Sequence, residues 1–165
     1  MIEELKKCLS EYDLIPITTQ NFEQIFPVYD ANQDFFLLTQ GERASLENSI
    51  SDVYAVPKNI DISQKTYVSI WMGDSAVGIL DLIEGYPGET SLWIGLLLVH
   101  GDLHGKKIGS NIANAVFTSA GILGYKSVQL GVIESNVKGL AFWKRQGFTI
   151  SGQRKNIVIM AKELI

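Results

Sequence analysis

Residues 91–124, SLWIGLLLVHGDLHGKKIGSNIANAVFTSAGILG, read as strand, tight loop and helix. Leu92 to Val99 form an almost unbroken apolar run of strand length, the pattern of a strand buried on both faces inside a sheet. His100-Gly101-Asp102 breaks that run with turn-forming residues. Beyond it the period changes: Ile108, Ile112, Ala115, Val116, Ser119 and Ile122 recur every three or four residues, as the apolar or small face of a helix does. Between the two periods lies His104-Gly105-Lys106-Lys107-Ile108-Gly109-Ser110.

The first turn of a helix carries backbone N–H groups with no intrahelical partner, and they point at whatever precedes the helix. An anion fits there. Gly105 and Gly109 have no Cβ and let a phosphate approach the backbone, while Lys106 and Lys107 add charge beside the positive end of the helix dipole. The spacing matches neither a Walker loop nor a Rossmann fingerprint. On the residues of the turn alone, an ordinary loop with solvated lysines remains open beside the anion site.

Val99-His100-Gly101-Asp102-Leu103-His104-Gly105-Lys106-Lys107-Ile108-Gly109-Ser110 resembles the acyl-CoA pyrophosphate loop of the GNAT superfamily of N-acyltransferases, Gln/Arg-x-x-Gly-x-Gly/Ala after a strand ending in Val. His104 stands where Arg or Gln is usual, and Lys107 where the first Gly is usual. A second stretch resembles the same family's strand, Asn, helix and closing Phe-Tyr-x-x-x-Gly-Phe: Val128 to Asn136, then Ala141-Phe142-Trp143-Lys144-Arg145-Gln146-Gly147-Phe148. The two stretches span roughly the C-terminal half of the chain.

The resemblance implies an α+β domain with a mixed, mostly antiparallel central sheet flanked by helices, built around a strand-loop-helix acyl-CoA site. It implies an acetyl-CoA-dependent N-acetyltransferase acting on a primary amine of a small molecule, peptide or protein, with acetyl-CoA as co-substrate and no metal. In the family the pantetheine arm lies beside the central strand like an added strand. The backbone at Leu97, Leu98 and Val99 is thus expected to bond it, with Leu98 polarising the thioester carbonyl. His104, Gly105, Lys106, Lys107, Ile108, Gly109 and Ser110 would hold the phosphates, and Asn136 the pantetheine, although Asn is also a favoured helix N-cap. Phe142 and Trp143 would line the donor site. Trp143 stands where many relatives carry a Tyr that protonates the leaving thiolate; an indole N–H is no such acid, and a thiol of pKa about 8.5 can leave without one. Trp143 therefore reads as a wall. His104, Lys107 and the missing Tyr keep a second function in view, a non-catalytic acyl-CoA-binding or regulatory module.

For the base that deprotonates the amine, Asp81, Glu84 and Glu134 are the candidates, with Glu89 and Tyr86 beside them, all expected on or near strands facing the cleft. The competing account for each carboxylate is a solvated surface group.

The rest of the chain bounds these expectations. The length of 165 residues suits one domain spanning 1–165, and nothing divides it. A net charge of −4 argues against a general nucleic-acid binder. A single cysteine, Cys8, forms no internal disulfide and suits a reducing cytoplasm. Residues 1–12 begin with acidic groups where a secretion signal wants positive ones; Ile2, Leu5, Cys8 and Leu9 share one face of a short amphipathic helix that packs on the domain or on a partner, which leaves a homodimer open. No apolar run reaches the ~20 residues of a membrane span. Leu14 to Ile17 reads as an edge strand, Asn21 to Ala31 as a helix kinked or shortened by Pro27, and Ala44 to Val53 as another helix. Phe35 to Leu38 is either core or cavity wall. Tyr67–Met72 and Ala76–Ile83 form antiparallel strands around Gly73-Asp74-Ser75, and Phe148–Ser151 with Ile157–Met160 a closing hairpin.

Overall fold

The computed structural model describes all of residues 1–165. In chain order the elements are α1 (Ile2–Cys8), β1 (Asp13–Pro16), α2 (Phe22–Asp30), α3 (Gln33–Gln40), α4 (Leu46–Ser49), β2 (Lys65–Met72), β3 (Ser75–Glu84), β4 (Ser91–Val99), α5 (Ile108–Ile122), β5 (Ser127–Ile133), α6 (Val137–Arg145), β6 (Thr149–Arg154) and β7 (Ile157–Glu163). One mixed sheet runs in the order β1-β2-β3-β4-β5-β7-β6. Only β4 and β5 pair in parallel. This is the α+β architecture expected from the sequence.

The sheet separates two apolar layers. Leu80, Leu82, Leu92 and Ile94 pack with Ile112 and Val116 of α5 and with Leu5 of α1 on one face. Tyr67, Ile79 and Leu98 pack with Phe22, Ile25 and Tyr29 of α2 and Phe36 of α3 on the other. The alternation along β3 explains the split, since successive side chains of a strand point to opposite faces. β4 is apolar on both faces because it carries both layers. No helix is long and apolar enough to cross a membrane.

Three local expectations change. Ala44–Val53 is not one helix: Ser45 caps α4, its Oγ accepting from Asn48 N–H at 3.1 Å and its own N–H donating to Asn48 Oδ1 at 2.7 Å, and the chain tightens into a 3-10 turn at Ile50–Val53. A start at Leu46 leaves room for one α-turn only. Pro27 neither ends nor shortens α2, which continues to Asp30; the lost N–H is outweighed by the burial of Phe22, Ile25, Val28 and Tyr29. The run Phe35–Leu38 is helical, so its residues divide by face: Phe36 is buried, Leu37 is exposed, and Phe35 and Leu38 line a cleft.

Two features of β4 position the site. Its parallel pairing with β5 covers only Ser91–Ile94 against Ser127–Leu130, pinned at the closed end by the buried Ser91 Oγ and Ser127 Oγ, 3.0 Å apart. Beyond Ile94 the strands part like a V. Second, the β3–β4 register slips between Asp81 and Leu82, because Asp81 pairs with Leu96 and Leu82 with Ile94, leaving Gly95 as an extra residue. Such a bulge bends the strand and re-aims the residues beyond it.

Candidate functional site

The open end of the V leads into a cleft of about 1310 Å³. Its floor is Leu97, Leu98 and Val99; its far wall is Phe142, Trp143 and Asn136; the α5 start, from Lys107 to Ser110, closes one end with His104 and Gly105. Lys106, expected among these groups, does not line the cleft.

The register decides which β4 amides are available. His100 N–H bonds the Val77 carbonyl at 2.9 Å, and in an antiparallel pair every second residue bonds the same neighbour. Leu98 and Leu96 therefore spend their backbone groups on β3. The amides of Leu97 and Val99 face the gap, because the bulge at Gly95 fixes that phase. This corrects the expectation for Leu98: its N–H lies against Ile79, and the group placed to polarise a carbonyl in the gap is Leu97 N–H. The Val99 carbonyl is already engaged, accepting from Asn32 Nδ2 at 3.0 Å and lying 2.8 Å from His104 Nε2. His104 thus ties the loop to the end of β4 in place of reaching outward as a free cation. Asn32, on the α2–α3 turn, also donates to the Val28 carbonyl at 2.8 Å, and no sequence pattern marks it.

At the start of α5, Asn111 N–H is bonded to the Lys107 carbonyl at 3.0 Å, and no side chain caps the helix. The N–H groups of Ile108, Gly109 and Ser110 consequently remain free for an anion. Lys107 has φ +64°, the left-handed region, which accounts for a glycine being usual at this place in the pattern. A Cβ on Gly109 would stand 3.5 Å from Phe142 Cζ and 3.6 Å from Val99 Cγ2, so the helix start, β4 and α6 meet at that point.

Both readings of Asn136 are compatible with its geometry. Oδ1 caps α6 by accepting from Gly139 N–H at 3.0 Å, and the residue lines the cleft with its amide nitrogen left over. Gly139 makes this arrangement fit, since a Cβ there would lie 2.5 Å from Asn136 Nδ2. Trp143 is held edge-on between Phe142 and Phe148, with ring centroids 4.8 and 5.2 Å away. Ser110 Oγ accepts from Gln146 Nε2 at 3.0 Å, joining α5 to the end of α6.

None of the carboxylates expected at the cleft lines it. Glu84 accepts from Tyr125 Oη at 2.9 Å and lies 4.0 Å from the N-terminal ammonium; burial first, then the neighbouring carboxylate, pushes Tyr125 up to about 12. Glu134 is exposed and accepts from Gln153 Nε2 at 2.9 Å. Glu89 is exposed on the loop before β4, while Tyr86 stacks edge-on against Trp93 at 5.4 Å. The positions of Glu84, Tyr86 and Glu89 follow from the β3–β4 hairpin, whose loop end points away from the open end of the V, whereas Glu134, just after β5, turns to the β6–β7 hairpin, its N–H bonding the Asn156 carbonyl at 2.8 Å.

Asp81 differs from the others. It is largely buried on the face covered by α2–α4, and its Oδ2 accepts from Lys65 Nζ at 2.7 Å. Oδ1 is buried and makes no hydrogen bond. Lys65 also donates to the Ala55 carbonyl at 2.8 Å and sits 5.0 Å from the Tyr67 ring centroid. Beside it, Tyr29 Oη donates to Asp52 Oδ2 at 2.7 Å and pairs with Tyr67 Oη. Burial pushes the Asp81 carboxyl above the usual range against the pull of Lys65, pushes the Asp52 carboxyl up against its hydrogen bond from Tyr29 and the weaker pull of Lys65, and pushes both tyrosines far up.

The family described as acetyltransferase (GNAT) matches this chain over residues 27–148, well over half its length. Among solved structures, an acetyltransferase from Thermus thermophilus is 24% identical with a TM-score of 0.80, over 93% of this chain and 97% of that one. The PaiA N-acetyltransferase of Thermoplasma acidophilum, solved in complex with coenzyme A, is 16% identical with a TM-score of 0.68, over 92% and 98%. A Bacillus subtilis acetyltransferase in complex with CoA is 16% identical with a TM-score of 0.61, over 94% and 99%. At these identities the likeness is one of fold. No curated protein sequence matches the chain.

Proposed function

The chain belongs to the acetyltransferase (GNAT) family, and from that premise we propose that it transfers an acetyl group from acetyl-CoA to a primary amine of a small molecule, peptide or protein, in the cytoplasm, as a single domain spanning residues 1–165. The observation that carries this reading is the V between β4 and β5, which exposes the amides of Leu97 and Val99 at one end of a cleft whose other end is the uncapped start of α5. Acetyl-CoA fits those groups. Its pantetheine amides would extend the sheet along β4 as an added strand, and its pyrophosphate would meet the N–H groups of Ile108, Gly109 and Ser110. Asn136 Nδ2 is a spare donor for the same arm, and Lys107 and Arg145 on the rim supply positive charge.

Acetyl-CoA supplies the thioester, and the chain's part is to hold and polarise it. Leu97 N–H points at the place where negative charge develops on the carbonyl oxygen, a fixed donor that needs no reorganisation. Trp143 walls the sulfur end and offers no acidic proton, so the thiolate leaves on the strength of its own low basicity.

Thiol release from acetyl-CoA in the presence of a panel of amines tests the proposal, with direct calorimetric CoA binding beside it. Amine-dependent release is expected. Tight CoA binding without release to any amine would favour the alternative, a non-catalytic acyl-CoA-binding module, which Trp143 and Lys107 keep in view.

A further inference from the structure

The network around Asp81 has a composition that packing alone does not explain. Two carboxylates, Asp52 and Asp81, are withdrawn from water beside a single cation, Lys65, and Asp81 Oδ1 has no partner at all. Buried charges are ordinarily paired and buried acceptors bonded, because an orphan loses its hydration without replacement. The cluster is short of one cation and one donor.

Its place in the sheet says what fills that shortage. Asp81 lies on β3, but its carboxylate leans over β4: a Cβ built on Gly95 would stand 3.0 Å from Asp81 Oδ2 and 3.2 Å from Cγ. A Cβ at 95 would crowd the carboxylate, which would have to give by a few tenths of an ångström. Gly95 is the bulge residue and is exposed, two positions before Leu97, whose amide faces the gap. At about 3.3 Å per residue along a strand, Gly95 and Leu97 are about 7 Å apart.

On the reading of the chain as an acetyltransferase, we infer that Asp81, leaning over Gly95 and tethered by Lys65, takes the proton of an acceptor that arrives as an ammonium from the face covered by α2–α4. The ammonium gives one proton to Asp81, directly or through one water. The freed lone pair attacks the thioester carbon, the C–N bond forms and the C–S bond breaks with its electron pair on sulfur. The second nitrogen proton ends on the thiolate and the first passes from Asp81 to solvent. Burial holds the Asp81 carboxyl above the ordinary aspartate range, closer to working pH, where a general base is most effective. The charged and titratable groups facing it are Lys65 and Tyr67 from β2 and Asp52 from the 3-10 turn after α4; β4 contributes none.

The experiment compares wild type, Asp81→Asn, Asp81→Glu and Gly95→Ala, each checked for fold by circular dichroism and for CoA affinity by calorimetry. Asp81→Asn is expected to keep CoA affinity and lose about 100-fold or more in kcat, the scale of a general base. Asp81→Glu should recover part of that loss and shift the acid limb of the kcat/KM profile. Gly95→Ala, which crowds the carboxylate without altering its charge, should lower kcat and leave CoA binding alone. A folded Asp81→Asn protein with near wild-type kcat overturns the inference while the acetyltransferase reading stands. Should Asp81→Asn fail to fold, Gly95→Ala decides, and an unchanged kcat and pH limb there overturns the inference equally. A wild-type chain that binds CoA and acetylates no amine removes both.

Discussion

The two faces of the central sheet are built from different materials. On the α5–α6 side the polar groups that the donor cleft offers are mainly backbone, two β4 amides and three N–H groups at a helix start, beside a wall of Phe142 and Trp143. On the α2–α4 side the site is made of side chains, with Tyr29, Asp52, Lys65, Tyr67 and Asp81 drawn from one helix, one turn and two strands. A backbone site binds what is constant among its ligands and tolerates substitution that respects local geometry. A side-chain site specifies one ligand and tolerates little. On the proposed reading, the donor is held mainly by backbone and the acceptor meets side chains.

The strongest way to break the comparison is at the backbone site. Gly109→Asp should weaken CoA binding about 100-fold or more in a folded protein, since it places a carboxylate where free N–H groups receive an anion; a hundredfold is about 2.7 kcal/mol. Gly109→Ala should stay within a few-fold, because its Cβ would meet Phe142 and Val99 at ordinary contact distances of 3.5 and 3.6 Å. Calorimetry separates the two. Equal affinity in both variants and wild type would remove the phosphate site from the start of α5.

Next in size is Tyr29→Phe. It withdraws the donor from Asp52 and the partner from Tyr67, and leaving buried polar groups unsatisfied costs about 1–3 kcal/mol. The midpoint of urea unfolding should drop accordingly with CoA affinity unchanged. The same face carries a pH signature. Because burial raises Asp52 and Asp81, the folded chain binds their protons more tightly than the unfolded chain does. Their stabilising contribution is therefore full below the ordinary aspartate range and falls as pH rises through the raised values. Asp52→Asn should gain stability relative to wild type as pH rises through that window. A constant difference between the two proteins across pH would show that Asp52 titrates normally.

The difference in materials also governs what was legible in the sequence. The order of strands along the chain, the α5 start and the α6 capping residue could be read, the last two because backbone geometry demands particular residue types at fixed short spacings, as with Gly105, Gly109 and Asn136. The bulge could not: Gly95 sits in an apolar run that reads equally well as an uninterrupted strand, and without the bulge the amide facing the gap is assigned to Leu98 when it belongs to Leu97. Asn32 reaches the Val99 carbonyl across 67 residues of sequence, a separation no local pattern announces, and Gly139 matters only because the Asn136 amide lies where its Cβ would be. The Lys65–Asp81 pair joins residues brought together only by strand pairing, so Asp81 could not be told from Glu84 or Glu134 before the fold was known. Ser45 moved a helix start because its cap overrode the apolar period that suggested Ala44.

A smaller effect separates wall from acid at Trp143. Trp143→Phe keeps an aromatic ring between Phe142 and Phe148 but gives up part of the surface facing the cleft. CoA affinity should fall about fivefold, roughly 1 kcal/mol, with kcat little changed, and Trp143→Tyr should bind at least as well as the Phe variant. Stopped-flow and steady-state measurements distinguish this from a loss confined to kcat, which would make the indole part of the chemistry.

The smallest expected effect, and the one that most sharpens the contrast, is at Lys107, where a side chain sits at a place built for backbone. Its φ of +64° strains any residue with a Cβ, so Lys107→Gly should stabilise the fold by up to about 1 kcal/mol as that strain is relieved. The same change removes an exposed charge from the rim of the phosphate site, worth about 0.2–1 kcal/mol for a solvated contact. The two effects act on different quantities: thermal stability should rise while CoA affinity falls a few-fold. The fall should be larger at low salt than at high salt, because screening weakens the wild-type contact. If Lys107→Gly instead binds acetyl-CoA more tightly and turns over faster, the lysine obstructs the cleft. The departure from glycine would then mark a chain in which donor binding has been set apart from transfer.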